Sequence, residues 1–366
     1  MLRVLLMALL STSLAASAGS PTPFGPAPRD ADGRFQNRYT TATDKSRLEL
    51  LRWMWDSARQ GLPPAPQTLT PVVTPELAFL QANARAGAAM QPAVTWIGHA
   101  SFLLQMGGLN LVTDPVFSER ASPVAFAGPR RQQAPGLSLA QLPRIDAVLI
   151  SHNHYDHLDV ATVRALAAQT GGSPLFLVPL GLKDWLAAEG ITHAVELDWW
   201  QSHRVGGVRF TLTPVQHWSA RGAFDRRATL WGGWAVLAPE LHAYFAGDTG
   251  YSPDFLDTRV FFAAEQDAAQ GGGFDLALIP VGAYEPRWFM REQHVNPEEA
   301  VQIHLDLGAK RSIGMHWGSF ELTDEPLDQP PRDLAAARAA RGVSEADFGL
   351  LAIGQTERLA PRPRAP

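Results

Sequence analysis

Residues Ser151-His152-Asn153-His154-Tyr155-Asp156-His157 crowd three histidines and an aspartate into a few positions of a chain that has 11 histidines in 366 residues. The string directly follows the apolar run Ala147–Ile150, so it reads as the loop leaving a buried strand. Side chains alternate along an extended segment, which puts His152 and His154 on the same side. Asp156 and His157, in the turn that follows, address a second point close by. So many polar groups at one strand end are costly to desolvate without a shared ligand, whereas imidazole and carboxylate are ordinary ligands of a divalent metal. The pattern points to two adjacent metal ions, and to a fold that presents several strand ends at one edge.

Three further places repeat the arrangement of an apolar run ending in a ligand type. Thr211–Gln216 leads into His217, Tyr244–Gly247 into Asp248, and Ile313–Met315 into His316. Each alone is as readily a structural polar residue; as a set, after the dense string, they can complete a two-metal site, because strand ends at one sheet edge converge. The chain has no cysteine, which removes disulfides, thiolate ligands and cysteine nucleophiles. Neither a G-x-S-x-G elbow nor a P-loop appears. A formal charge of -5 argues against a nucleic-acid partner, which calls for a basic face.

With 46% hydrophobic and 18% charged residues, the chain has enough apolar surface to order itself. It opens with MLRVLLMALLSTSLAASA, one arginine before a short apolar run and an Ala-x-Ala signal. Residues 1–18 therefore read as a cleaved secretory signal peptide, and the mature protein is expected outside the cytoplasm, periplasmic or peripheral to a membrane. Residues 19–40, rich in Pro, Gly and Ala at their start, read as a flexible lead-in. A helix is expected near Asp44–Arg59, with Leu48, Leu51 and Trp55 on one face. Short apolar runs then alternate with helical segments at Val160–Ala168, Leu182–Ala188 and Glu298–Leu307; the last has Asn296 as N-cap, Pro297 in its first turn and Gly308 after its end. Many strands with interspersed helices, and no repeat of solenoid length, predict one α/β domain over residues 41–360.

The string H-x-H-x-D-H followed by separate His, Asp and His resembles the metallo-β-lactamase-fold hydrolases. A narrower resemblance, over roughly residues 35–330, rests on SHNHYDHLD, DWW, PVQHWS, LWGGW, FAGDTGY, PVGAYEPRWFM, QHVNPEEAV and MHWGSF; together these are similar to the N-acylphosphatidylethanolamine-hydrolysing phospholipase D family. The resemblance implies an αββα sandwich of two mixed sheets flanked by helices, with two zinc ions at the sheet edges. It implies His152, His154 and His217 on one zinc, Asp156, His157 and His316 on the other, and Asp248 bridging both. Asp114, in Val112-Thr113-Asp114-Pro115, matches the superfamily aspartate that orients a ligating imidazole. The implied reaction is phosphodiester hydrolysis of a phospholipid, releasing phosphatidic acid and an N-acylethanolamine.

Asp156 and His294 are the candidate catalytic residues, and His294, Trp218 and Tyr284 the candidate substrate contacts. His294 lies just before the Asn296 cap, at a helix N-terminus whose backbone N–H groups favour a phosphate. The core is the ordinary destination of large rings, and Trp53, Trp55, Trp199, Trp200, Trp218, Trp288 and Phe289 are expected there, an acyl groove or membrane interface being the functional alternative. Peripheral membrane contact and a homodimer are both compatible with this reading. A lactonase or other ester hydrolase on the same fold stays open, as does a non-catalytic exported carrier of metal or lipid.

Overall fold

The structure is a computed structural model that describes residues 24–41, 43–266 and 272–362; the expected signal peptide lies outside them. Ala93–Gly98 (β1), Ser101–Met106 (β2) and Leu109–Thr113 (β3) form an antiparallel meander. The β2–β3 turn is Gly107-Gly108, both at positive φ, the backbone geometry that a two-residue hairpin loop favours. Ala147–Leu149 (β4), Leu175–Pro179 (β5) and Ala194–Leu197 (β6) extend this sheet in parallel. A second sheet repeats the plan. Ser202–Val205 (β7), Val208–Thr213 (β8), Gly233–Ala238 (β9) and Leu241–Phe245 (β10) pair antiparallel. Leu276–Pro280 (β11), Ser312–Met315 (β12) and Phe348–Gly349 (β13) then add in parallel. Thr356–Arg358 (β14) returns to the first sheet beside β1.

Alternation within each strand sorts the side chains into layers. Trp96, Phe102 and Leu149 of the first sheet share one buried cluster with Phe210, Trp234 and Val236 of the second. Ile97, Leu103 and Val148 point the other way, onto the helices Leu77–Asn83 (α2), Val160–Ala167 (α3) and Leu182–Ala188 (α4). Asp254–Phe261 (α5), Pro297–Leu307 (α7) and Gln329–Arg341 (α8) cover the second sheet, and the short helix Arg287–Met290 (α6) precedes α7. The result is the αββα sandwich of two mixed sheets that the resemblance implied.

Arg47–Gln60 (α1) is opened by a Ser46/Glu49 capping box and closed by Gly61 in the left-handed region, so its ends follow ordinary capping rules. Its packing does not: α1 buries no residue. Leu48, Leu51, Met54 and Trp55 are 78%, 60%, 58% and 70% exposed. Trp199 and Trp200 reach the core as expected, but Trp55 and Trp288 do not. The lead-in also departs from expectation. Within its described part Phe35 is buried, Arg29 pairs with Phe35, and Asn37 is held inside the protein, because the segment is pinned by hydrogen bonds to the loop that carries His217.

Candidate metal centre

Antiparallel neighbours two apart run the same way, so β1, β3 and β4 point together, as do β8, β10, β11 and β12. Every candidate ligand lies just past the C-terminal end of one of these strands. Asp114 follows β3, His152–His157 follow β4, His217 follows β8, Asp248 follows β10 and His316 follows β12. The close approach of the β4 and β10 loops needs glycine at 247: its φ is +61°, and a Cβ there would stand 2.5 Å from that of Ser151. Among the described residues six other than glycine have positive φ, and His99, Asp114 and His316 are three of them. Such backbone strain, about 1–3 kcal/mol each, concentrates at functional sites.

His152, His154 and His217 converge in one half of the site. His152 Nε2 is 2.8 Å from His154 Nδ1, and His217 Nε2 is 3.3 Å from it. Asp248 Oδ2 stands 3.9 Å from His152 Nε2 and 3.8 Å from His217 Nε2. In the other half, His157 Nε2 and His316 Nε2 lie 3.4 and 3.3 Å from Asp156 Oδ2. The same two nitrogens lie 3.1 Å from Oδ2 and Oδ1 of Asp248 respectively. A tetrahedral ion with bonds of about 2.1 Å has ligand–ligand edges of roughly 3.4 Å. The donor set therefore fits a pair of divalent ions, with one Asp248 oxygen pair facing both positions. His154 Nε2, His157 Nε2, His316 Nε2 and Asp248 Oδ1 are buried without a hydrogen-bond partner, a state that native proteins keep only for a reason.

The outward ring nitrogens are fixed by acceptors, which sets the tautomers. His217 Nδ1–H donates to the Gln293 carbonyl at 2.9 Å. His157 Nδ1–H donates to Asp114 Oδ2 at 2.6 Å. Ser151 Oγ–H also donates to Asp114 and accepts from His152 Nδ1. One buried aspartate thus orients an imidazole in each half. His217 is braced further by Asn37, whose amide accepts from the His217 N–H at 3.0 Å and donates to its carbonyl at 2.9 Å. Arg221 donates to the carbonyls of Asn153 and Leu158 at 2.8 and 2.7 Å, tying down both ends of the histidine loop.

The halves differ electrostatically. Burial, then the neighbouring imidazoles, hold His152 well below its ordinary pKa; burial pushes His154 and His217 down to about 3. Burial opposes charge on His157 and His316 as well, but the facing carboxylates outweigh it. Asp248, Asp156 and Asp114 raise His157 well above its usual range, and Asp248 and Asp156 lift His316 to about 9. Against their own burial, Asp156 and Asp248 are held well below the carboxylate range by His157 and its neighbours.

The site forms the floor of a cleft of about 420 Å³ whose walls include Leu50, Trp53, Phe289, Met290 and Leu322, with Lys45, Arg47 and Arg226 among its lining residues. His294 and Trp218 line it. His294 Nδ1 is buried without a partner 3.8 Å from Asp248 Oδ2, and burial brings its pKa down to about 3, so the ring is neutral. The helix end expected to place His294 is already occupied. The α7 N-terminus is closed by its own Asn296/Glu299 capping box, with Arg287 paired to Glu299 and to the His294 carbonyl. His294 owes its position to the loop beside His217 instead. Trp218 packs edge-on against His154 at 4.4 Å under the Arg226 guanidinium. Tyr284 is not at the cleft: it is 3% exposed and donates its hydroxyl to Asp333 on α8, because its backbone is turned inward by hydrogen bonds to Glu325. Sequence reasoning passed over Asn37 and Arg221, which carry no ligand spacing, and left His99 without a role. His99 had a readable signal, since it follows the end of β1 as the ligands follow theirs.

Comparison with known proteins agrees with this geometry. A family model of the β-lactamase superfamily domain matches residues 109–317. The chain is 42% identical over 248 residues to N-acyl-phosphatidylethanolamine-hydrolyzing phospholipase D 1 of Caenorhabditis elegans, an alignment covering 65% of this chain and 67% of that one. It is 38% identical over 327 residues to the uncharacterized protein Rv0906 of Mycobacterium tuberculosis, covering 87% and 82%. The fold is similar to that of the metallo-β-lactamase fold protein YhfI from Bacillus subtilis, with a TM-score of 0.50 at 16% identity over 73% of this chain and 99% of that one.

Proposed function

Since the chain belongs to the β-lactamase superfamily and is a metal-dependent hydrolase of the metallo-β-lactamase fold, we propose that it is a phosphodiesterase of the phospholipase D type. In this reading its substrate is an N-acylphosphatidylethanolamine-like phospholipid and its metal is a pair of zinc ions. The observation that carries the reading is the set of seven ligand side chains gathered at the base of a cleft with apolar walls and basic lining residues, together with the 42% identity to a phospholipase D over 248 residues.

His152, His154 and His217 would hold one ion, Asp156, His157 and His316 the other, with Asp248 shared. Bound there, the pair supplies a hydroxide at neutral pH and offsets charge on the phosphoryl oxygens. The chain's own groups do the rest. A P–O bond to water oxygen forms, the P–O bond to the N-acylethanolamine oxygen breaks, and that oxygen leaves with a proton. The Asp156 and Asp248 carboxylates, ionised and facing the reacting centre, orient the water and accept its hydrogen bonds. Neutral His294 can donate to a phosphoryl oxygen without bringing a charge of its own. Trp218, Phe289 and Met290 keep the cleft dry around the headgroup.

A cleft of about 420 Å³ is too small for two acyl chains, which are left in the bilayer. The uncovered face of α1, next to rim residues Leu50 and Trp53, suits insertion among lipid headgroups, and the expected export would set the protein at such a surface. The test is to incubate purified protein, with zinc or with chelator, with N-acylphosphatidylethanolamine in vesicles or in detergent and, separately, with an acyl-homoserine lactone, in H₂¹⁸O. The expected result is zinc-dependent N-acylethanolamine release, faster from vesicles, with the label in phosphatidic acid. Lactone opening without phospholipid cleavage would instead support an ester hydrolase, and label in the alcohol product would exclude attack at phosphorus.

A further inference from the structure

We propose that His99 is a positioning residue for the Asp156/His157/His316 half of the site, and that it is not a ligand. The inference rests on the two-metal reading above. His99 sits immediately past β1 in the left-handed region, φ +56°, and every polar group of its main chain is engaged. Its N–H donates to Ser319 Oγ at 2.8 Å. Its carbonyl accepts from Trp96 Nε1 at 3.0 Å and from the His316 N–H at 3.1 Å. Its ring Nε2 lies 3.0 Å from Asp156 Oδ2, and its centroid lies 4.0 Å from that of His316. One residue thus holds two ligands of the same half, the backbone of His316 and the carboxylate of Asp156.

Position alone would admit His99 as a fourth ligand, since its nitrogen clusters with those of His157 and His316 and with Asp156 oxygen. Geometry sets it apart: His157 and His316 Nε2 each lie 3.1 Å from an oxygen of Asp248, the shared ligand, whereas the carboxylate that His99 Nε2 meets is that of Asp156. An ionised carboxylate only accepts, so the proton of the 3.0 Å contact belongs to Nε2. The other tautomer would set two lone pairs against each other and bury an N–H on Nδ1, which has no partner. With its proton on Nε2, the ring holds the Asp156 carboxylate as a donor. At 1% exposure the ring does not meet substrate either. Its role is that of the outer partner that orients a ligand, here reversed: an imidazole holding a carboxylate.

The test is competitive titration of zinc into metal-free full-length protein against a chromophoric chelator, for the wild type, His99→Asn and His99→Gln. Asparagine tolerates positive φ but is too short to place an N–H where Nε2 stands; glutamine restores the reach. In His99→Asn one of the two ions should weaken by about 10–100-fold while the other is unchanged, and His99→Gln should recover part of the loss. Equal weakening of both ions marks a general structural role and overturns the proposal. So does unchanged binding, or a glutamine variant as poor as asparagine. A wild type that takes up no zinc overturns the two-metal reading, and this inference with it.

Discussion

The two halves of the centre share Asp248 yet are opposites in charge. Around His152, His154 and His217 burial outweighs the pull of Asp248, and all three rings are neutral far below physiological pH. Around His157 and His316 the neighbours are Asp114, Asp156 and Asp248, and both rings hold protons at neutral pH. The first half is three neutral imidazoles with ring nitrogens gathered at one point, a set of donors ready for a cation. The second is a cluster in which facing carboxylates keep protons on the rings. A metal entering the first half displaces nothing; one entering the second must drive protons out.

The largest effect should come from breaking what the halves share. Asp248→Ala is expected to weaken both ions and to lower kcat/KM by at least ~10³-fold, read by metal content and turnover on one preparation. His217→Ala and His316→Ala should each lose one ion and keep the other. An Asp248 variant that retains either ion at wild-type affinity would show that the halves are independent.

A smaller effect separates the halves by pH. His316 titrates near 9 and His157 well above its ordinary value, so below pH 9 each proton displaced costs the second ion about tenfold in apparent affinity per pH unit. His154 and His217 lose their protons near 3, so the first ion's affinity should be flat from pH 6 to pH 9. Zinc titration at several pH values, with proton release measured calorimetrically, checks this. Lowering the pH should strip the ions one at a time, the second half emptying first; simultaneous loss would mean that the halves are not electrostatically distinct.

The same contrast governs what was legible in the sequence. The ligands were readable because each stands where an apolar run stops, and a strand period of two fixes which face it serves. The sandwich followed from the alternation of strands and helices together with the family motifs. What could not be read was support that works through the main chain. Asn37 and Arg221 act on backbone atoms of residues more than sixty positions away, and a contact of that kind leaves no periodicity. Tyr284 misled because a motif-rich stretch need not face the site: Glu325 turns its backbone inward. α1 misled differently. Its periodicity is that of a packed helix, and it forms with good caps, but among the described residues no element covers its apolar face. α8 went unread because two prolines open it; they occupy the first turn, where a missing N–H costs little.

The smallest effect completes the contrast from the first half, where Asn37 does for His217 what His99 does for the Asp156 half. Its amide accepts from the His217 N–H and donates to the His217 carbonyl, and it also accepts from Trp231 Nε1 at 3.2 Å. Asn37→Ala would bury the two His217 backbone groups unpaired, at about 1–3 kcal/mol each, and let the ring drift from its place opposite His154. The first ion should therefore weaken by about tenfold and the second hardly at all, the reverse of His99→Asn. The Asn37→Ala/His99→Asn double variant should show the two losses adding, one on each ion, because the residues share no partner. If Asn37→Ala instead weakened the second ion, the strain would be travelling through Asp248, and the shared carboxylate would couple the halves more tightly than their opposite charges imply.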